Sequence, residues 1–238
     1  MRRLLFLFML LQVGCATKYI IPGNRFMTPE TQGGSLESSA EFQQSQANQL
    51  TSDVRNGSVK DGVLNSVIKR SGFLFATSWI EQIDVFWNHT GAGNSLIGGK
   101  YQFFGASRIA KGAGHKMAIS LAIGGNQHET DGSNRVRFEL TGKEVQLLYG
   151  YRVNEYFLAY SNLAYGKYDF AGTITSNDPS LNGLKPAYTT QTLSLYGGSE
   201  LTLGPFFGKA ELGYQLLQTT YTKNVMNFVA GYSLGFNW

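Results

Sequence analysis

Met226-Asn-Phe-Val-Ala-Gly-Tyr-Ser-Leu-Gly-Phe-Asn-Trp238 is the stretch that decides the fold. Its even positions are Met226, Phe228, Ala230, Tyr232, Leu234, Phe236 and Trp238. Its odd positions are Asn227, Val229, Gly231, Ser233, Gly235 and Asn237. Side chains of a strand point alternately to its two faces, so this period of two predicts a strand with one apolar and one small or polar face. A globular sandwich also makes such strands, but it seldom ends its boldest one on an aromatic residue at the C-terminus.

The same alternation runs upstream. Phe206–Leu216 keeps apolar or small residues at even positions, with Lys209, Glu211, Gly213 and Gln215 at odd ones. For even residues to share a face on both final strands, the turn between them needs an odd residue count, and Thr222-Lys223-Asn224 supplies one. Thr189–Glu200 puts Leu193 and Leu195 on one face, whereas Tyr156–Phe170 is rich in aromatics but ambiguous in parity. Lys143–Arg152 sets Val145, Leu147, Tyr149 and Tyr151 against Glu144, Gln146 and Arg152. Lys116–Asn126 and Ser95–Phe104 repeat the pattern. Gly72–Asn88 reads as two strands about the short junction Trp79–Ile83, and Ser35–Thr51 as the first strand of the set. The expected total is ten strands, with eight as the alternative; both are even.

The C-terminal stretch resembles the assembly signal of Gram-negative outer-membrane β-barrels, which usually close on Phe; here Trp238 keeps the aromatic character. The resemblance implies an all-β fold, a closed antiparallel transmembrane β-barrel inserted by the β-barrel assembly machinery. In such barrels apolar residues face lipid and polar residues the lumen, and closure is forced because an open edge in hydrocarbon leaves backbone groups unpaired. Short junctions at Trp79–Ile83, Val153–Glu155 and Leu201–Pro205 alternate with polar stretches at Ser52–Lys69, His89–Asn94, Gln127–Asn134 and Gly172–Tyr188. Short periplasmic turns and long outer loops produce that asymmetry, with both barrel termini in the periplasm. Gly105–Gly114, a long turn, and Thr222–Asn224, a short loop, are the exceptions. Aromatics are expected on the outer face, with Trp79, Tyr151 and Trp238 at the periplasmic girdle and Trp87, Tyr165 and Tyr214 at the other.

At the N-terminus, Met1-Arg2-Arg3 precedes the uncharged apolar run Leu4–Leu11, a secretory signal. Gln12-Val13-Gly14-Cys15 resembles a bacterial lipoprotein signal, departing from it at Gln12. The resemblance implies removal of residues 1–14 and lipidation of Cys15; cleavage after Ala16 is the alternative. Residues 15–34, with two Pro and three Gly and neither strand nor helix period, read as an irregular periplasmic tether ahead of a barrel over 35–238.

Composition agrees. Aromatic residues at 13% and charged residues at 15% exclude disorder for the bulk of the chain. No apolar run of ~18 residues follows the signal, which excludes a helical membrane protein. The formal charge of +4 includes Arg2 and Arg3; without them it is +2, so the basic balance carries no nucleic-acid reading.

Candidate chemistry is sparse. Lys100, Glu144, Arg152, Glu200, Lys209 and Glu211 all fall on the face opposite the apolar one, where a barrel this small is filled by side chains. They read as a lumen-facing charge network or as the lining of a narrow channel. His89 and His128 fall at the outer rim near Thr90, Glu129, Asp131 and Ser133, the residue types of an acyl hydrolase, but no known spacing joins them. His115 falls in the Gly-rich turn. Gly105–Lys116 is phosphate-loop-like only in its glycines, lacking the Gly-Lys-Ser/Thr ending. No catalytic residue, cofactor or metal is expected. The functional expectation is a structural, adhesive or surface-interaction role, with outer-membrane lipids and lipopolysaccharide as partners. A narrow pore is the alternative, and a lipid-modifying enzyme a more distant one.

Overall fold

The computed structural model describes residues 19–34, 36–55, 58–90, 95–129, 134–176, 179, 182–185, 187–219 and 224–238. The expected signal and Cys15 lie outside the described residues. The strands in chain order are β1 (Tyr19–Pro22), β2 (Ser38–Arg55), β3 (Ser58–Ile80), β4 (Ile83–Thr90), β5 (Ser95–Phe104) and β6 (Gly114–Glu129). They continue with β7 (Asn134–Arg152), β8 (Phe157–Ser176), β9 (Ala187–Leu203), β10 (Phe206–Thr219) and β11 (Val225–Asn237).

Strands β2 to β11 form an antiparallel ring in which each pairs with its chain neighbours and β11 closes on β2. This is the ten-stranded closed barrel that the alternation predicts. The closing seam runs from Asn237↔Ser39 to Gly231↔Ser45. At its foot the two ends of the barrel meet: Ser38 N–H donates to Trp238 C=O and Trp238 N–H to Ser38 C=O, each at 3.0 Å. The barrel termini therefore share the end that carries the short turns after Ile80, Arg152 and Leu203.

Pairing fixes which face each residue takes. Leu216↔Met226, Tyr214↔Phe228 and Leu212↔Ala230 are direct cross-strand partners, so even residues of the last two strands point the same way, as expected. Of the turn expected at Thr222–Asn224, only Asn224 is among the described residues. Outward rows expose Leu193, Leu195, Leu201 and Leu203 on β9, Leu212 and Tyr214 on β10, and Met226, Phe228, Tyr232, Leu234 and Phe236 on β11, with Trp238 just after it. At ~3.3 Å per residue and a tilt of ~40°, a strand climbs ~2.5 Å per residue, so Leu193–Leu203 makes a band ~25 Å tall, the height of a bilayer's apolar layer. Lys143 and Lys167 face each other across β7 and β8 just above this band. The expected girdle residues Trp79, Trp87, Tyr151, Tyr165, Tyr214 and Trp238 are all on the exposed face.

Three expectations need correction. Aromatics are not confined to the outer face: Tyr160, Tyr168, Phe170, Tyr188 and Tyr196 point inward and are buried. Rings can fill a small lumen as well as they can meet lipid, so aromatic content did not settle the parity of β8. Secondly, Ser52–Lys69 is not a loop. β2 runs to Arg55 and β3 starts at Ser58, so a paired hairpin replaces it. The sequence of this stretch is polar and lacks the alternation of the wall strands, so it reads as a loop although its backbone is paired. Residues 58–71 of β3 pair with β2 and continue past Gly72, where β4 ends at Thr90, a projection of roughly 45 Å of strand. Likewise β6, β7, β8 and β9 reach into the expected loops Gln127–Asn134 and Gly172–Tyr188.

The third correction concerns the N-terminal segment. Expected as a periplasmic tether, it lies inside the barrel: Ile21, Asn24, Arg25, Phe26, Met27, Thr28, Glu30 and Thr31 are each at most 4% exposed. Tyr19–Pro22 departs from the irregular reading by forming β1 on β2, whereas the residues after it are irregular because their backbone is held by barrel side chains rather than by a ladder.

Candidate functional site: a charged lumen and the segment that fills it

The inward face of the barrel carries all six charges singled out by spacing, Lys100, Glu144, Arg152, Glu200, Lys209 and Glu211, and each is buried. Only Arg152 and Glu200 of these pair with each other, at 3.2 Å. The remaining partners come from residues that spacing did not identify, chiefly from the N-terminal segment.

Near the middle of the lumen Arg25 lies against Glu144 in a two-point contact, Nε and Nη2 each 2.8 Å from a carboxylate oxygen. Nη2 also donates to the Tyr168 hydroxyl at 2.9 Å, and Tyr168 in turn donates to Glu144. A fork of parallel N–H···O bonds is the strongest form of this contact. Glu211 accepts the successive backbone N–H groups of Arg25 and Phe26, at 3.0 and 3.2 Å, and the Asn162 amide at 3.2 Å. Lys209 donates to Phe26 C=O at 2.8 Å and pairs with Glu41 on β2. Phe26 is thus gripped at both ends of its peptide, in a left-handed conformation with φ 53°. Its ring needs Gly231 on the seam strand: a Cβ there would stand 2.6 Å from Phe26 Cζ and 2.7 Å from Gln44 O.

Towards the turn end, Glu30 receives Arg152 through Nε at 2.6 Å and Nη2 at 2.5 Å, with Lys116 at 3.5 Å. Lys100 donates to the carbonyls of Thr28 and Glu30 and pairs with Asp84 at 3.0 Å, while Asp84 accepts the Gln32 backbone N–H. Thr31 N–H donates to Gln102 at 2.7 Å. Arg108 reaches in from the turn between β5 and β6 to Glu200 at 2.7 Å. Burial alone disfavours the charged Arg108 guanidinium, but Glu200, with Glu30 behind it, outweighs that and holds its pKa above the ordinary arginine value.

Among the described residues, buried Arg25, Lys100, Lys116, Arg152 and Lys209 therefore meet buried Glu30, Glu41, Asp84, Glu144, Glu200 and Glu211, and Arg108 evens the two signs. An unpaired charge in such an interior costs several kcal/mol. Arg25 and Glu30 are as much part of the site as the wall residues they neutralise. A signal for them existed: two opposite charges within a Gly/Pro-punctuated stretch of otherwise uncharged residues between Asn24 and Gly34.

Apolar contacts complete the filling. Ile21 packs with Leu140, Tyr168, Phe170, Tyr188 and Leu217, and Met27 with Leu74, Phe86, Leu96 and Leu148 among others. β1 pairs with β2 from Tyr19↔Leu50 to Pro22↔Ala47, taking the edge that β11 leaves free above Ser45.

The histidines sit elsewhere. His89 faces outward on β4, with Nδ1 2.7 Å from the Ser95 hydroxyl and its ring stacked on Trp87 at 5.9 Å. The geometry gives a hydroxyl–imidazole pair. Glu129 is described only as a strand position, as is His128, and Asp131 and Ser133 lie outside the described residues. His115 is the second residue of β6 rather than part of the turn, bonded to the Tyr149 hydroxyl at 2.7 Å and edge-on to Tyr151. Among the described residues no three potential metal ligands converge.

No protein-family model matches the chain, and no curated protein does. Among solved structures the chain is similar to Ail, the attachment invasion locus protein of Yersinia pestis, at 14% identity over 85% of this chain and 99% of that one, with a TM-score of 0.40. The same protein in complex with the heparin analogue sucrose octasulfate matches at 15% identity, 85% and 99% coverage and a TM-score of 0.43. The copper transporter OprC matches at 9% identity over 90% of this chain and 46% of that one, with a TM-score of 0.37.

Proposed function

We propose that the chain is an outer-membrane β-barrel closed by its own N-terminal segment, with a structural, adhesive or surface-interaction role carried by what projects from its outer mouth. The observation that carries this reading is the filled lumen. Arg25 on Glu144 and Arg152 on Glu30 occupy the path a solute would take, and displacing them would leave buried charges unpaired. The ~25 Å band of exposed Leu, Phe and Tyr supports a lipid environment, since a protein in water does not expose a continuous apolar belt. Lys143 and Lys167 at its upper edge suit the phosphates of outer-leaflet lipids and lipopolysaccharide. The short-turn end would then face the periplasm and the β2–β3 hairpin the surroundings of the cell. Insertion would run through the β-barrel assembly machinery. No enzymatic role is part of this reading.

The test is a pair of measurements on the full chain. Purified protein that shifts in mobility on boiling is expected to give no discrete conductance steps in planar bilayers. Cells expressing it are expected to lose matrix binding or autoaggregation when residues 51–63 are removed with the mobility shift retained. Regular steps from the intact chain would turn the reading to the narrow pore, and unchanged adherence without the hairpin would end the surface-interaction role.

A further inference from the structure

β7 serves as a ruler for the N-terminal segment. Ile21 shares an apolar cluster with Leu140, Arg25 binds Glu144, and Glu30 binds Arg152, the last residue of the strand at the short-turn end. Twelve residues of tilted strand rise ~30 Å, and the nine steps from Ile21 to Glu30 span about the same length when extended. The segment therefore runs along the lumen from the level of Leu140 to the short-turn end. β1 confirms the height independently, since Tyr19 pairs with Leu50, twelve residues up β2 from Ser38.

We propose that the chain ahead of Tyr19 is displayed at the outer surface of the cell, so that the polypeptide enters the barrel from outside, descends through the lumen, and only then begins the wall at Ser38. The proposal rests on the outer-membrane orientation given above. For the chain ahead of Tyr19 to return to the periplasm, ~30 Å of it would have to run beside a segment that already fills the lumen. The lumen beside it is occupied by buried side chains of the wall, Tyr160, Tyr168, Phe170, Tyr188 and Tyr196, and Gly23 lies against the wall, where a Cβ would stand 2.3 Å from Gln46 O. Cys15 stands four residues before Tyr19 and so within ~14 Å of it along the chain. A lipid on that cysteine would meet the outer leaflet and not the periplasmic one.

The test places a short epitope between Ala16-Thr17 and Lys18 of the full chain, and a different one between Asn56 and Gly57 at the hairpin tip. Antibody labelling is compared on intact and permeabilised cells, with the boiling shift reporting a folded barrel. The expected result is equal labelling of both epitopes before and after permeabilisation. An N-terminal epitope reached only after permeabilisation, with the hairpin epitope open on intact cells, overturns this proposal and leaves the orientation standing. Both epitopes hidden on intact cells overturns the orientation and this proposal with it. If the epitope prevents folding, Lys18→Cys labelled by a membrane-impermeant maleimide, over the background of the parent chain, gives the same readout.

Discussion

The C-terminal strand and the segment that fills the lumen are held by opposite means. β11 joins β2 through a backbone ladder from Ser39 to Ser45, and its side chains alternate between the exposed face and the lumen. Residues 23–37 have little ladder of their own; their peptide groups and charges are held by side chains of the wall, Glu211 and Lys209 on Phe26, Asn162 on Met27, Gln102 on Thr31. A ladder imposes a period of two on whatever sequence forms it. A segment held by side chains carries no period, because each position answers to a different partner. One end of the chain is thus a feature of its own sequence, and the other a feature of the barrel's.

Removing the side-chain-held end should have the largest effect. Deleting residues 16–34 takes Arg25 and Glu30 from the lumen, leaving Glu144 without its cation and Arg152 with Glu200 alone. A folded barrel lacking them is expected to conduct in planar bilayers where the full chain is silent. A silent deletion variant with an intact boiling shift would show that the wall alone fills the lumen. Next in size, Arg25→Met should cost roughly 3–5 kcal/mol in urea unfolding from lipid vesicles, since it strands Glu144 beside Tyr168. Glu144→Leu in the same chain should recover most of that loss, and a cycle with no coupling would break the contrast between the two ends. Smaller again, Tyr232→Arg puts a charge on the lipid face of β11 near mid-height and should cost about 2–4 kcal/mol in the same assay. Leu203→Arg, on the same exposed face at the short-turn end, should cost less; equal costs would mean that the outer face does not meet lipid.

How much was legible follows from this contrast. The strands, their parity on β10 and β11, the ring of ten and the inward charges could all be read, because an exposed apolar face and a packed polar lumen alternate along every row. Above the band that alternation ends, and β2–β3 beyond Gly72 reads as polar loop although its backbone is paired. A local signal was present in Asn56-Gly57, the dipeptide that favours a two-residue hairpin turn, which leaves Arg55 and Ser58 as partners. The lumen charges were legible as positions but not as pairs. Spacing along a strand says which face a side chain takes, and nothing about a partner more than a hundred residues away, such as Arg25 for Glu144.

The seam between β2 and β11 has a consequence for the order of assembly. It joins the first wall strand to the last, and its closure encloses a segment that precedes β2 and runs along the lumen to the short-turn end. Threading that segment afterwards would mean pulling Arg25 and Glu30 through a finished ring lined with charge. The lumen is therefore filled while the wall is still an open sheet, and the last rung between Gly231 and Ser45 locks beside the Phe26 ring that must already be in place.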